Sequence, residues 1–155
     1  LEQIARDYVD VLNRVIEWKP EDLVVNMHIC RGNFRSTWFS SGGYEPVAKT
    51  LFGHCRVDGF FLEYDSDRAG DFTPLRYIKD QKVVLGLITS KSGDLEDKGE
   101  VIARIKEASQ YVPLEQLCLS PQCGFSSTEE GNILTIEAQW DKLKLIDEIV
   151  HEVWG

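Results

Sequence analysis

The sequence predicts an α/β protein of parallel strand–helix units, and three observations carry that prediction. Apolar, strand-like runs alternate along the chain with runs of helical spacing, the order that produces a parallel sheet. One run, Lys82 to Thr89, is apolar almost throughout, as suits a strand covered on both faces. Four such units fill 155 residues, whereas a closed eight-stranded barrel takes about 250, so the pattern fits either a doubly wound sheet or half of a barrel.

From Leu1 to Trp18 the residues Leu1, Ile4, Ala5, Tyr8, Val9, Leu12, Val15 and Ile16 recur at helical spacing, and Lys19-Pro20 ends the run. Leu23 to Cys30 is the first strand. A polar-aromatic loop, Arg31 to Tyr44, leads into a short helix from Pro46 to Phe52 and a second strand, Val57 to Leu62. Asp71 to Ile78 reads as a second helix, with Pro74 set against it. After the third strand, Asp94 is placed to cap a helix whose apolar positions Leu95, Val101, Ile102, Ile105, Ala108 and Val112 form one buried face; Gly99 weakens it and Pro113 closes it. A short fourth strand, Gln116 to Leu119, precedes a last helix from Glu137 to Trp154 with Trp140, Leu143, Ile146, Ile149, Val150 and Val153 as its apolar set. No repeat, low-complexity tract or linker divides residues 1–155, which read as a single domain.

With 43% hydrophobic residues the chain can bury one sizeable core. No run approaches the roughly 20 apolar residues of a membrane span, and no signal-peptide pattern opens the chain, so a cytoplasmic protein without a membrane partner is expected. A net charge of −9 opposes a phosphate backbone and argues against nucleic acid. Four irregularly spaced cysteines suit reduced thiols better than disulfides. The chain opens at Leu1 inside a helical pattern and its one methionine is Met27, which suggests a piece of a larger protein.

Four metal-capable side chains stand where strands give way to loops: His28 and Cys30 in NMHIC, Glu63 in FFLEYD and Cys123 in SPQCGF. Strands that run parallel present the same end in the same direction, so these residues can converge on one ion. His28 and Cys30 share a strand face, about 7 Å apart along it. Zinc accepts mixed imidazole, thiolate and carboxylate ligands. The competing reading makes His28 a hydrogen-bonded core histidine, Cys30 and Cys123 small buried hydrophobes, and Glu63 a solvated charge. His54-Cys55, Cys118 and His151 read as structural or solvated, and Ser126 and Ser127 as the start of a helical turn.

At His28-Ile29-Cys30, Phe61-Leu62-Glu63 and Pro121-Gln122-Cys123-Gly124 the chain resembles the C-terminal catalytic barrel of cobalamin-independent methionine synthase, and more closely the short methionine-synthase-like proteins. The segment from Val112 to Leu117 resembles that family as well. The resemblance implies the C-terminal half, about four βα units, of a TIM-type (β/α)8 barrel, with the upstream half absent from this chain. It implies Zn2+ held by His28, Cys30, Glu63 and Cys123. It also implies a methyltransferase of methionine biosynthesis, in which a homocysteine-like thiol takes a methyl group from a folate-like donor. The fragment alone is expected to be inactive. Lys91 falls near the family's proton-donor position, in place of its histidine. In the loop, Arg31 and Arg35 are placed to meet an anionic group, and Trp38 to stack on a flat ring. The alternatives are zinc-dependent alkyl transfer to another thiol such as coenzyme M, and a zinc-binding assembly fragment without turnover. A half-barrel exposes sheet edges, so a homo-oligomer or pairing with the missing half is expected.

Overall fold

The computed structural model describes residues 1–155 and shows the expected α/β fold. The elements are α1 (Glu2–Ile16), β1 (Asn26–Ile29), α2 (Glu45–His54), β2 (Gly59–Glu63), β3 (Lys82–Ile88), α3 (Lys98–Ala108), β4 (Leu117–Pro121) and α4 (Ile136–Trp154). The four strands form one all-parallel sheet in chain order, β1-β2-β3-β4. Four βα units in sequential order are what half of a (β/α)8 barrel requires.

Alternation along the strands sorts side chains onto two faces. Phe60 and Leu62 of β2, Val83 and Leu85 of β3, and Leu117 of β4 belong to the core shared with the helices. Phe52 of α2 meets Phe60 edge-on at 5.1 Å, and Tyr44, Tyr64 and Phe72 continue the aromatic contacts. The opposite face carries a row in register, His28, Phe61, Val84 and Cys118. Cover along this row is uneven, with His28 exposed, Phe61 36% exposed and Val84 only 9%. Cys30 and Glu63 share the parity of His28 and Phe61, so the candidate site grows on this second face, at the C-terminal ends of the strands.

The structure corrects several local expectations. The first strand is shorter than Leu23 to Cys30, because Leu23 and Val24 stay exposed. Asp71 to Ile78 is not an α-helix: a 3-10 turn spans Thr73–Tyr77, with Pro74 in its first turn where a missing N–H does no harm. Asp97, not Asp94, caps α3, its carboxylate accepting from Glu100 N at 2.9 Å. The cap falls later because Asp94 is held by Ser92 and by Lys142. Ser126 and Ser127 start no helix; Thr135 caps α4 instead, accepting from Ala138 N at 3.1 Å. In α4 the buried residues are Lys142, Leu145 and Ile149, while Trp140 is 58% exposed.

Gly86 fixes how closely the end of β4 approaches β3. A Cβ there would lie 2.9 Å from both Gln122 Cα and Leu62 O, backbone atoms that cannot step aside. The register shifts between Gly86 and Ile88 at the same place, and Gln122 N donates to Ile88 O at 2.6 Å. Gly86→Ala is therefore expected to cost about 1–3 kcal/mol in urea unfolding, as overpacking does. An unchanged unfolding midpoint would show that the close approach is dispensable.

Candidate metal centre

His28 Nε2, Cys30 Sγ and Cys123 Sγ all lie within 4.8 Å of one another, drawn from the ends of β1 and β4, 95 residues apart in sequence. His28 Nε2 stands 3.3 Å from Cys123 Sγ. A tetrahedral zinc with Zn–S near 2.3 Å and Zn–N near 2.0 Å separates its ligands by about 3.5–3.8 Å, so the group needs little adjustment to hold one. Gly32 N donates to Cys30 Sγ at 3.4 Å. Burial pushes the Cys123 thiol up to about 12, with the charge of Cys30 adding to it, so this thiol is protonated at neutral pH until a cation displaces the proton.

Glu63 lies outside that three-residue group. It is fully buried, and its two oxygens differ. Oε2 accepts from Arg31 N at 2.8 Å and from Gln122 Nε2 at 3.0 Å. Oε1 has no hydrogen-bond partner; Arg68 Nη2 stands 3.3 Å away without donating along a good line. A buried carboxylate oxygen left without a donor is costly, and a metal ion is one partner that removes the cost. The donor set of one imidazole, two thiols and this oxygen therefore fits zinc.

The loop after β1 is tied down across the site. Asn33 Nδ2 donates to Gly124 O at 2.9 Å and Ser127 Oγ at 2.8 Å, and Asn132 Nδ2 to Ser90 O at 2.6 Å. A tight turn carries Arg35 and Ser36 at φ of 44° and 64°, a conformation non-glycine residues adopt at a cost. Ser36 Oγ accepts from Ile133 N at 2.9 Å, which helps hold that turn.

The other expected site residues are placed variously. Arg31 is 7% exposed and its guanidinium donates to Gly42 O, Tyr44 Oη and Glu63 O. These bonds make it a brace for the loop, not the free anion-binding group expected, because its donors are spent on the protein's own oxygens. Arg35 is exposed at the tip of the turn. Trp38 is 56% exposed, with the Arg68 guanidinium 4.2 Å from its ring centre, so one face is already stacked. Lys91 is 8% exposed and donates to Gln122 Oε1 at 2.9 Å. His54 is bonded to Lys49 O and His151 to Asp147 O, both apart from the centre. Sequence reasoning missed Gln122, Asn33 and Ser90. Gln122 adjoins Cys123 in the motif and could have been suspected; nothing local marked Ser90.

No family model matches the chain. It is similar to the uncharacterised proteins YxjH and YxjG of Bacillus subtilis, at 54% and 55% identity over 155 residues, 99% of this chain and 41% of each relative. The methionine synthase of Pyrococcus horikoshii is 23% identical over 116 residues, 75% of this chain and 30% of that protein. A solved structure from Listeria monocytogenes, provisionally assigned as a vitamin-B12-independent methionine synthase, matches with a TM-score of 0.76 and 46% identity over 99% of this chain and 42% of that one. The B12-independent methionine synthase of a Shewanella species, solved with selenomethionine, shares the fold at a TM-score of 0.76 and 22% identity. The chain spans about two-fifths of the length of the curated relatives that match it end to end. Fold, strand-end cluster and relatives together define the class: the chain resembles the cobalamin-independent methionine synthases. Among them it fits the short methionine-synthase-like proteins.

Proposed function

We propose that this chain is the zinc-bearing, C-terminal part of a cytoplasmic methyltransferase that moves a methyl group onto a homocysteine-like thiol from a folate-like donor. The observation that carries the reading is the convergence of His28, Cys30 and Cys123, with buried Glu63 and its oxygen that lacks a hydrogen-bond donor at the end of the neighbouring strand β2. Those four residues would hold the metal. Zinc bound there supplies a Lewis acid that lowers the pKa of an incoming thiol and so provides a nucleophile at neutral pH. In the overall reaction a sulfur–carbon bond forms as the donor's nitrogen–methyl bond breaks, and the donor nitrogen takes up a proton.

The chain's own residues prepare for this in separate ways. Arg31 and Asn33 fix the loop against β2 and the Cys123 turn, which keeps Cys30 in place. Lys91 holds a buried cation near the thiols, where it steadies negative charge and stands as the candidate proton donor. Arg35 and the open face of Trp38 are the exposed candidates for substrate contact. The rest of the substrate site, in this reading, lies in the remaining three-fifths of the parent protein. Exposed Leu1, just before α1, and Ile4, Tyr8 and Val15 on it offer an apolar surface for that part or for a second copy.

The test is methyl transfer by purified proteins loaded with zinc. A protein of the relatives' full length is expected to convert homocysteine with a methyltetrahydrofolate donor, while this chain alone gives no turnover. Preference for another thiol acceptor, coenzyme M included, would replace the methionine-forming reading. Turnover by the isolated chain would contradict the division of the site proposed here.

A further inference from the structure

Gln122 links buried Glu63 to Ser90 and Lys91 beside the candidate ligand Cys123. It is 1% exposed, between Pro121 at the end of β4 and Cys123. Its Nε2 donates to Glu63 Oε2 at 3.0 Å, while its Oε1 accepts from Ser90 Oγ at 3.0 Å and Lys91 Nζ at 2.9 Å. The orientation of this amide has only one consistent assignment. An ammonium can only donate, so the oxygen faces Lys91, and a carboxylate can only accept, so the nitrogen faces Glu63. The backbone is equally constrained, by the Gln122 N to Ile88 O bond and by the close approach that Gly86 permits.

We propose that Gln122 is a positioning residue for the metal centre, which selects Glu63 Oε1 as the metal-binding oxygen and keeps Lys91 from pairing with Glu63. Two donors, Gln122 Nε2 and Arg31 N, occupy Oε2 from the protein side, so Oε1, which has no hydrogen-bond donor and only the Arg68 guanidinium 3.3 Å away, is the oxygen left for a metal cation. The second effect is competitive. Lys91 donates a hydrogen bond to the Gln122 oxygen; without that acceptor the ammonium is free to turn to Glu63 at the other end of the same amide, and a lysine on the carboxylate opposes a dication. Groups that orient a ligand from behind typically change metal affinity by about 10- to 100-fold.

This inference rests on the reading of Glu63 as a zinc ligand, and the experiment separates the two. Zn2+ alone is titrated into wild type, Gln122→Met and Gln122→Glu against a chromophoric chelator, and Co2+ is added to each for its visible spectrum. Methionine removes both hydrogen-bonding ends at similar volume; glutamate keeps the acceptor for Ser90 and Lys91 but loses the donor to Glu63. Both variants are expected to bind zinc about 10- to 100-fold more weakly and to show altered cobalt bands, and to keep a cooperative unfolding transition at a lowered midpoint, since buried partners of Gln122 lose their hydrogen bonds. Wild-type affinity and an unchanged cobalt spectrum in either variant overturn the proposal while the zinc reading stands. Loss of fold in both variants overturns it as well, since Gln122 would then be a packing residue. A wild-type chain that takes up no zinc overturns the zinc reading itself, and this proposal with it.

Discussion

Changing Cys123 to serine is expected to take the chain from one zinc per molecule to almost none, with the fold intact. A hydroxyl does not ionise as a thiol does beside a metal, so the variant loses a charged ligand outright. Since outer partners alone are worth about 10- to 100-fold in affinity, loss of a ligand should exceed about 100-fold. The fold should survive because Cys123 is only half-buried and sits outside the hydrophobic core. The same substitution removes a stability effect. Zinc at about 1,000 times its dissociation constant adds about 4 kcal/mol to the form that binds it, so wild type should melt higher with zinc and Cys123→Ser should not. Elemental analysis of the purified proteins and paired melting curves check both statements. An equal zinc content in the two proteins would remove Cys123 from the site.

The second large effect is expected far from the sulfurs. Lys142 on α4 has no exposed side-chain surface, and its ammonium donates to Asp94 O at 2.6 Å and to Glu96 Oε1 and Oε2 at 3.0 and 3.1 Å. Glu96 also accepts from Thr89 N at 2.8 Å, so this pair braces the loop that carries Ser90 and Lys91. Removing one partner strands the other charge in the interior. Glu96→Ala leaves a buried ammonium with a single carbonyl and should cost about 3 kcal/mol, the low end for broken buried pairs because the Glu96 side chain is 19% exposed. Replacing both, as Lys142→Met with Glu96→Gln, should restore most of that loss, since the glutamine keeps an acceptor for Thr89 N and no charge remains buried. Urea unfolding measures each variant. A single substitution that costs under about 1 kcal/mol would mean that water reaches the ammonium readily.

Much of this was legible in the sequence. The alternating runs gave four parallel strands in order, and the strand-end motifs pointed to His28, Cys30 and Cys123, which the fold brings together, because both depend on local pattern and spacing. What escaped depends on distant partners. Lys142 reads as a polar residue on an amphipathic helix until Glu96, 46 residues away, neutralises it. Asp94 looks like a cap until Ser92 and Lys142 claim it. Arg31 and Arg35 are indistinguishable as loop arginines; only the fold brings Gly42, Tyr44 and Glu63 around the first. Gln122 likewise acquires its role from Glu63 and Lys91, 59 and 31 residues away.

The central claim is that His28, Cys30, Glu63 and Cys123 share one zinc, and X-ray absorption at the zinc edge tests it most directly. Zinc-loaded chain should give two sulfur neighbours near 2.3 Å and two nitrogen or oxygen neighbours near 2.0–2.2 Å. In Glu63→Gln the two sulfurs should remain while the shell of lighter atoms changes. A zinc surrounded by oxygen and nitrogen alone, or by four sulfurs, would contradict the account.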